Sequence, residues 1–536
     1  MAITHTLAGK HLIGGEWVAA NTKTFRGVNP ATGTALEPPY PMAGDAEMDA
    51  ALRAASESFQ ASRNMPPTRW AELLEAIAQR IQDLGDVLLQ TGNAETGLPL
   101  ARMTGERTRT CSQLKMFADL VREGSWVDAT IDTADAQRQP IPKPDVRRML
   151  RPIGPVVVFG PSNFPFAFGV CGGDTASALA AGNPVVVKAH SNHPATSELF
   201  AAAALAALQD TRMPLGLVNV LYGSGHELGA ALVKHPATAA VGFTGSERAG
   251  RSLFDLAAAR EWPIPVYAEM GSLNPLVILP GAMVERSEKI ATGLAQSVTM
   301  GVGQFCTKPA MALVLEDSPV DTLIGQLKQQ LSAVAPAPML AQEMQRTFCE
   351  TTGRMANVRG VKVHLAAQPS AYASITPMLL EVAATTWRAE PWLQEEAFGP
   401  SVIVVRCKDL ADVHATISAT LGNLTGAIHT GASDNPDDVR RLVNALVDYA
   451  GRVIFDGFPT GVEVCAAMVH GGPYPATTFA GFTSVGASAV RRFARPVCYQ
   501  NTPDQMLPVA LQNANPIKLL RQVNGHWTRD SIGEGK

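Results

Sequence analysis

A cysteine, a glutamate and an asparagine stand in surroundings that suit all three to acyl chemistry. Cys306 lies in the run Gly303-Gln304-Phe305-Cys306-Thr307-Lys308-Pro309, a thiol flanked by small and polar residues and therefore a candidate nucleophile. Glu269, in Ala268-Glu269-Met270-Gly271, offers a base, and Asn163, in Pro161-Ser162-Asn163-Phe164-Pro165, offers a side-chain amide to an oxyanion. Nucleophile, base and oxyanion donor are the parts that acyl transfer through a thioester requires. Taken singly, a free cysteine is more often an inert buried small hydrophobe. Only a thiolate attacks well, so the site needs a depressed thiol pKa or a neighbouring base. Glu269 ends the run Pro265-Val266-Tyr267, the strand-to-loop position at which α/β sheets place functional groups. Asn163 also reads as a turn residue, with Phe164 held extended by Pro165, and such a turn would aim the amide.

The elements that must position these groups follow an α/β pattern. Short β-branched runs at 153–159, 184–188, 217–221, 239–243 and 264–268 alternate with alanine-rich helical stretches at 170–181, 194–208, 225–234 and 246–259. Strand-helix-strand repetition of this length implies right-handed crossovers and a parallel sheet covered on both faces, a Rossmann-type unit. The usual GxGxxG turn after its first strand is missing, so that fingerprint does not support a dinucleotide here. A second α/β pattern runs from about Tyr267 to about Ala466, with strands expected at 275–279, 311–315 and 402–405, and it contains Cys306. The proline-rich, basic stretch from Pro140 to Arg151 reads as an extended arm.

Composition limits what else the chain can be. At 536 residues it is long enough for two to four domains, and 44 basic against 48 acidic residues leave a formal charge of −4. No polybasic or acidic tract recommends nucleic acid or an anionic membrane as partner. The seven cysteines are scattered without a CxxC spacing, which argues against a disulfide framework or a zinc site and for a reducing, cytoplasmic setting. The N-terminal stretch has no apolar h-region, and the run 200–208 is too short to span a bilayer.

In this order, these segments resemble the aldehyde dehydrogenase superfamily. The strings GQFCTKP (303–309), SNFPFAFGVCGGDTASALAAGNPVVVKAH (162–190) and MVHGGPYPATT (468–478) are similar to its α-ketoglutarate semialdehyde (2,5-dioxovalerate) dehydrogenase group, and the likeness runs from about Gly14 to about Pro503. The resemblance implies a Rossmann-type cofactor domain (1–138 and 152–266), a second α/β catalytic domain (267–466), an oligomerisation arm (139–151 and 484–502) and C-terminal return segments (467–483 and 503–536). It implies attack of Cys306 on an aldehyde, hydride loss to nicotinamide, and hydrolysis of the thioester with Glu269 activating the thiol or the water. Asn163 and the Cys306 N–H would bind the oxyanion. The family's usual second glycine and lysine after the glutamate are here Ser272 and Leu273. A homodimer or homotetramer is expected.

For the cofactor, Phe243-Thr244-Gly245-Ser246 followed by Gly250 closes a strand and opens a helix, where free N–H groups favour phosphate. By resemblance Ser246 touches the pyrophosphate, Lys188 approaches the adenosine ribose, and Glu396 and Phe398 hold the nicotinamide ribose and ring. Many NAD-preferring relatives place an acid three positions beyond the lysine, where this chain has Ser191. The hydroxyl removes a repulsion from a 2′-phosphate, so NADP is favoured with NAD accepted. His190 and His193 read otherwise as solvent-facing. Phe166, Phe168, Phe305 and Phe458 are candidate walls of the aldehyde pocket, and Arg109 is a candidate partner for a substrate carboxylate. A fatty or medium-chain aldehyde is the rival substrate. A cysteine hydrolase or acyltransferase without nicotinamide, and a catalytically silent member of the fold, are the rival classes.

Overall fold

Valine runs too short for a helix and unbroken by polar residues build the first sheet. Val156–Phe159 and Val185–Lys188 are buried along their whole length, as strands covered on both faces must be. In the computed structural model, which describes residues 6–20 and 23–533, the sheet has seven strands. Their order is Val266–Glu269, Ala240–Thr244, Val156–Phe159, Val185–Lys188, Val218–Leu221, His11–Ile13 and Glu16–Val18. The first five are mutually parallel and the last two add antiparallel. The expected strands and the helices Gly173–Ala180, Pro194–Asp210, Glu227–Lys234 and Glu247–Ala258 between them fall where the pattern placed them, within a few residues. The register sets Phe159 level with Phe243 and Lys188, and Thr244 level with Glu269. The Asn163 loop, Lys188, the Thr244-Gly245-Ser246 turn and Glu269 therefore all leave the sheet at its C-terminal edge, the side on which such sheets bind ligands.

A second seven-stranded sheet runs in the order Lys362–Leu365, Met378–Ala383, Ser401–Cys407, Met311–Leu315, Leu276–Ile278, Asn423–His429 and Ala450–Phe455, parallel except for its first strand. Glu269 ends the first sheet and Leu276 begins the second, so the chain passes from one to the other through the site. Cys306 precedes Met311–Leu315, and Glu396 precedes Ser401–Cys407, which places both at the N-terminal edge of this sheet. Ala494–Gln500 and Val146–Pro152 pair antiparallel in a third, five-stranded sheet that also takes in Thr130–Asp132, Arg521–Val523 and His526–Thr528.

The turn ahead of Cys306 is built from left-handed backbone. Gly301, Val302 and Gly303 have φ of 54°, 57° and 67°, a conformation that a β-branched residue such as valine adopts only under constraint. A Cβ on Gly303 would stand 2.4 Å from the carbonyl carbon of Gly399. The nucleophile loop and the Glu396 loop therefore touch backbone to backbone, with no room for a side chain. Gly303→Ala should cost about 2–4 kcal/mol, from the positive φ and the overpacking together. Gly353→Ala, inside helix Gln342–Ala356 with nothing within 4 Å of the added methyl, should instead gain about 0.5–1 kcal/mol. Denaturant midpoints of the two variants check the contrast. Equal midpoints would show that the loops do not meet this closely.

Candidate active site

Three segments distant in sequence converge on the Cys306 thiol. Its Sγ lies 3.5 Å from Nε2 of His470, and the same Nε2 lies 3.1 Å from Oε2 of Glu269. Glu269 and His470 are buried to 3% and 2% exposure, while Cys306 is half-buried. Burial, and then the negative charge of Glu269, push the thiol well above the usual cysteine range, with Arg109 opposing them. The cysteine therefore rests as a thiol and needs a base at the moment of attack, which His470 and Glu269 can supply. In the sequence His470 stands only as one residue of MVHGGPYPATT (468–478). Its contact with Cys306 spans 164 residues, and no local spacing announces it.

Each of the three groups is fixed from behind. Asn274, at φ 49°, donates its amide to the carbonyls of Cys306 at 2.8 Å and Lys308 at 3.0 Å. The His470 N–H donates to Oγ1 of Thr483 at 2.8 Å, and Oγ of Ser484 donates to the His470 carbonyl at 3.0 Å. Glu269 is bridged antiparallel to Thr477, so the segment after His470 runs alongside the end of its strand. Nδ2 of Asn163 donates to the Gln304 carbonyl at 2.9 Å, which holds the amide beside the nucleophile loop with one N–H to spare. The Asn163 loop is in turn held by Glu106, whose Oε1 accepts from the N–H of Phe166 at 2.9 Å and of Ala167 at 3.0 Å.

Glu106 stands on helix Leu100–Glu123 between Arg102 and Arg109, spacings that place all three on one face. The Arg102 guanidinium lies 4.4 Å from the ring centre of Phe164 and 4.7 Å from that of Phe305; Arg109 lies 5.6 Å from those of Phe164 and Phe168. Nε and Nη2 of Arg109, Nη2 of Arg102 and Nε of Arg452 are buried without a hydrogen-bond partner. Arg109 and Arg452 both lie close enough to Cys306 for a thiolate there to interact with their charge. Phe168 and Phe305 thus join Phe164 beside the nucleophile. Phe166 and Phe458 do not. Phe166 is fully buried in the core against Phe200, and Phe458 packs on His429 at 5.0 Å, behind the second sheet.

Residues 17–472 match the model of the aldehyde dehydrogenase family. Alpha-ketoglutaric semialdehyde dehydrogenase 2 of Azospirillum brasilense is 46% identical over 97% of this chain and 99% of its own length. The chain belongs to the aldehyde dehydrogenase family. The alpha-ketoglutaric semialdehyde dehydrogenase of Acinetobacter baylyi is 41% identical, again over 97% of this chain and 99% of its own. Among solved structures, methylmalonate-semialdehyde dehydrogenase from Oceanimonas doudoroffii shares the fold, with a TM-score of 0.79 at 21% identity over 92% of this chain and 98% of that one.

Members of the family use NAD or NADP, and several groups of this aldehyde dehydrogenase suit such a dinucleotide. Oε1 of Glu396 and Oγ1 of Thr244 are buried with no hydrogen-bond partner among the described residues. Ser246 caps helix Glu247–Ala258 by accepting from the Ala249 N–H, and its hydroxyl hydrogen stays free for an anion. A Cβ on Gly250 would stand 2.6 Å from the Met270 sulfur and one on Gly245 2.6 Å from the Phe243 ring, so both glycines serve close packing of the turn. Lys188 is buried, its amine lowered to about 8 by desolvation, and Ser191 lies exposed at the approach to helix Pro194–Asp210. Phe398 is half-buried beside Glu396. His193 does not face solvent: it is 1% exposed and its Nε2 lies 3.1 Å from the Pro161 carbonyl. Lys308, also missed in the sequence, is fully enclosed and donates to the carbonyls of Ala397 at 3.0 Å and Ser401 at 3.1 Å.

A thiol raised by burial fixes the pH dependence of its chemistry. Alkylation of Cys306 by iodoacetamide should be slow at neutral pH and keep rising as the medium passes the ordinary thiol range near 8.5. Mass spectrometry of the Cys306 peptide after timed exposure gives the profile. A rate already at its plateau at pH 7 would mean a resting thiolate.

Proposed function

We propose that this aldehyde dehydrogenase oxidises α-ketoglutarate semialdehyde (2,5-dioxovalerate) to α-ketoglutarate, with NADP preferred and NAD accepted. The observation that carries the substrate is Arg109: a buried guanidinium with two unpartnered nitrogens, among the aromatic residues beside the nucleophile. Donors left unmade in such a place are costly, and a substrate carboxylate satisfies them with a charge-assisted pair. The relatives at 46% and 41% identity, both named alpha-ketoglutaric semialdehyde dehydrogenases, support the same substrate.

The residues act in sequence. The carboxylate of the substrate pairs with Arg109, and its aldehyde carbon faces Sγ of Cys306. His470 takes the thiol proton across 3.5 Å, and Glu269 at 3.1 Å balances the imidazolium. Sulfur attacks the carbonyl carbon, and the C=O pair moves onto oxygen, where the spare N–H of Asn163 and the Cys306 N–H receive it. Glu396, Ser246, Gly245, Gly250, Lys188 and Phe398 would hold the dinucleotide, which when bound accepts the hydride that leaves the substrate carbon. Glu269 then draws a proton from water as the water adds to the thioester carbon. The carbon–sulfur bond breaks and the thiolate recovers a proton from His470.

The free cysteines suit a reducing cytoplasm. Ala494–Gln500, an edge strand, suits pairing between subunits in a homodimer or homotetramer. The aromatic trio Phe164, Phe168 and Phe305 favours the second reading, a medium-chain aldehyde. A panel of 2,5-dioxovalerate, succinic semialdehyde, glycolaldehyde and a long aliphatic aldehyde decides between them. On the first reading Arg109→Met lowers kcat/KM for 2,5-dioxovalerate by about tenfold to a hundredfold and spares the aliphatic aldehyde. Equal losses on both would count against a carboxylate at Arg109.

The preference for NADP rests on Ser191. Ser191→Glu sets a carboxylate against a 2′-phosphate, a like-charge juxtaposition costing several kcal/mol. The ratio of kcat/KM with NADP to that with NAD should fall by about a hundredfold or more, measured with one shared aldehyde. An unmoved ratio would place residue 191 away from the 2′ position.

A further inference from the structure

We infer that Glu269, Cys306 and His470 together form a three-ligand site for a thiophilic divalent cation, zinc(II) above all, whose binding holds the enzyme inactive. The spacing of the cysteines gave no zinc motif because the ligands come from three separate segments. The side chains nevertheless present one sulfur, one imidazole nitrogen and one carboxylate oxygen within 4.8 Å of one another. A tetrahedral zinc with bonds of about 2.3 Å to sulfur and about 2.0–2.2 Å to nitrogen and oxygen separates sulfur from nitrogen by about 3.6 Å, and nitrogen from oxygen by about 3.3 Å. The corresponding distances here are 3.5 Å and 3.1 Å. Three protein ligands with a fourth position open is the form that catalytic zinc sites take.

A second observation points the same way. Glu269 is 3% exposed, and among the described residues neither of its oxygens is met by a well-directed hydrogen bond, although Nε2 of His470 lies 3.1 Å from one of them and the Cys306 thiol faces the same carboxylate. Two acceptors and a ring nitrogen that approach closely without the direction of a hydrogen bond are arranged as co-ligands of a third body. Imidazole, thiolate and carboxylate are together the donor set that selects zinc over magnesium or calcium. On binding, the thiol proton passes to solvent and a sulfur lone pair enters the zinc–sulfur bond, so the cation captures the nucleophile and its two bases at once. The inhibition is reversible by chelation and competitive with the aldehyde.

The test is direct binding to chelator-treated, otherwise intact enzyme. Equilibrium dialysis should find one zinc per subunit, and cobalt(II) should produce a thiolate-to-cobalt charge-transfer band. Cys306→Ser should remove the band, and His470→Asn should weaken zinc binding by about tenfold or more, the loss that even an outer partner of a metal site can cause. Unchanged dinucleotide binding would show that both variants fold. Cys465 and Cys498 are the exposed thiols that could bind zinc adventitiously, and the double variant Cys465→Ser/Cys498→Ser should keep both stoichiometry and band. Stoichiometric zinc that survives Cys306→Ser and His470→Asn, zinc that vanishes in the double variant, or no zinc bound at millimolar concentration would each overturn the inference. Because no aldehyde is present, the result stands apart from the substrate assignment.

Discussion

A half-buried thiol beside a carboxylate is held in its protonated form, and the organisation of the site answers that constraint. Desolvation and the charge of Glu269 both favour the protonated sulfur. The protein sets Arg109 against this, too weakly to reverse it. It places His470 at 3.5 Å and Glu269 behind it, so that the proton has somewhere to go once a substrate is in position. A thiol that stays neutral between turnovers is also a poorer target for oxidants and electrophiles than a standing thiolate. The demand this makes on the fold is geometric. Glu269 comes from the C-terminal edge of one sheet, Cys306 from the N-terminal edge of the other, and His470 from the segment that returns along the end of strand Val266–Glu269. Asn274, Thr483 and Ser484 fix the backbone of these segments with hydrogen bonds of 2.8–3.0 Å, because an error of an ångström would separate thiol from base.

Glu106 plays the same part for the oxyanion loop. Its carboxylate is enclosed, and burial raises it above the ordinary range, while Arg102 and the two loop N–H groups pull it back. A buried charge of this kind is tolerable only when its lone pairs are taken up. Here they are taken up by the Phe166 and Ala167 N–H groups and by Arg102 at 3.3 Å. One helix face therefore supports the Asn163 turn through Glu106 and turns Arg109 toward the nucleophile. Arg109 and the Asn163 loop are thereby both anchored to helix Leu100–Glu123.

What the sequence made legible follows from the range of each interaction. Strands such as Val156–Phe159 and helices such as Pro194–Asp210 are written in local pattern, and their boundaries emerge nearly unaltered. Cys306, Glu269 and Asn163 were legible because each sits in a short string whose chemistry is local. His470, Lys308 and Glu106 were not, since each matters only through a partner far along the chain. The aromatic residues went astray for a conformational reason. Phe166 and Phe168 would share a face in an extended segment, but the Phe168 N–H bonds to the Phe164 carbonyl at 3.1 Å and closes a helical turn. In a turn, residues four apart share a face, so Phe164 and Phe168 flank the nucleophile while Phe166 is driven into the core. Phe458 has only its residue type to recommend it for the pocket, and the close approach of helix Pro280–Thr299 at Gly293 draws it behind the second sheet.

Lys308 shows how the nucleophile and the dinucleotide side of the site are joined. It lies two residues beyond Cys306, yet its ammonium is enclosed and bonded to the carbonyls of Ala397 and Ser401, on either side of the Phe398-Gly399-Pro400 turn. Burial lowers the ammonium, and the neighbouring Glu396 carboxylate raises it in return. Glu396 is itself pushed up by burial and drawn down by Lys308 and by the Ser272 N–H. Each charge offsets part of the cost of burying the other, although burial still leaves Glu396 raised to about 7 and Lys308 lowered to about 8. The carboxylate that would hold the nicotinamide ribose is thereby tied to the loop that carries the sulfur, and Gly303 lets the two loops pack backbone to backbone.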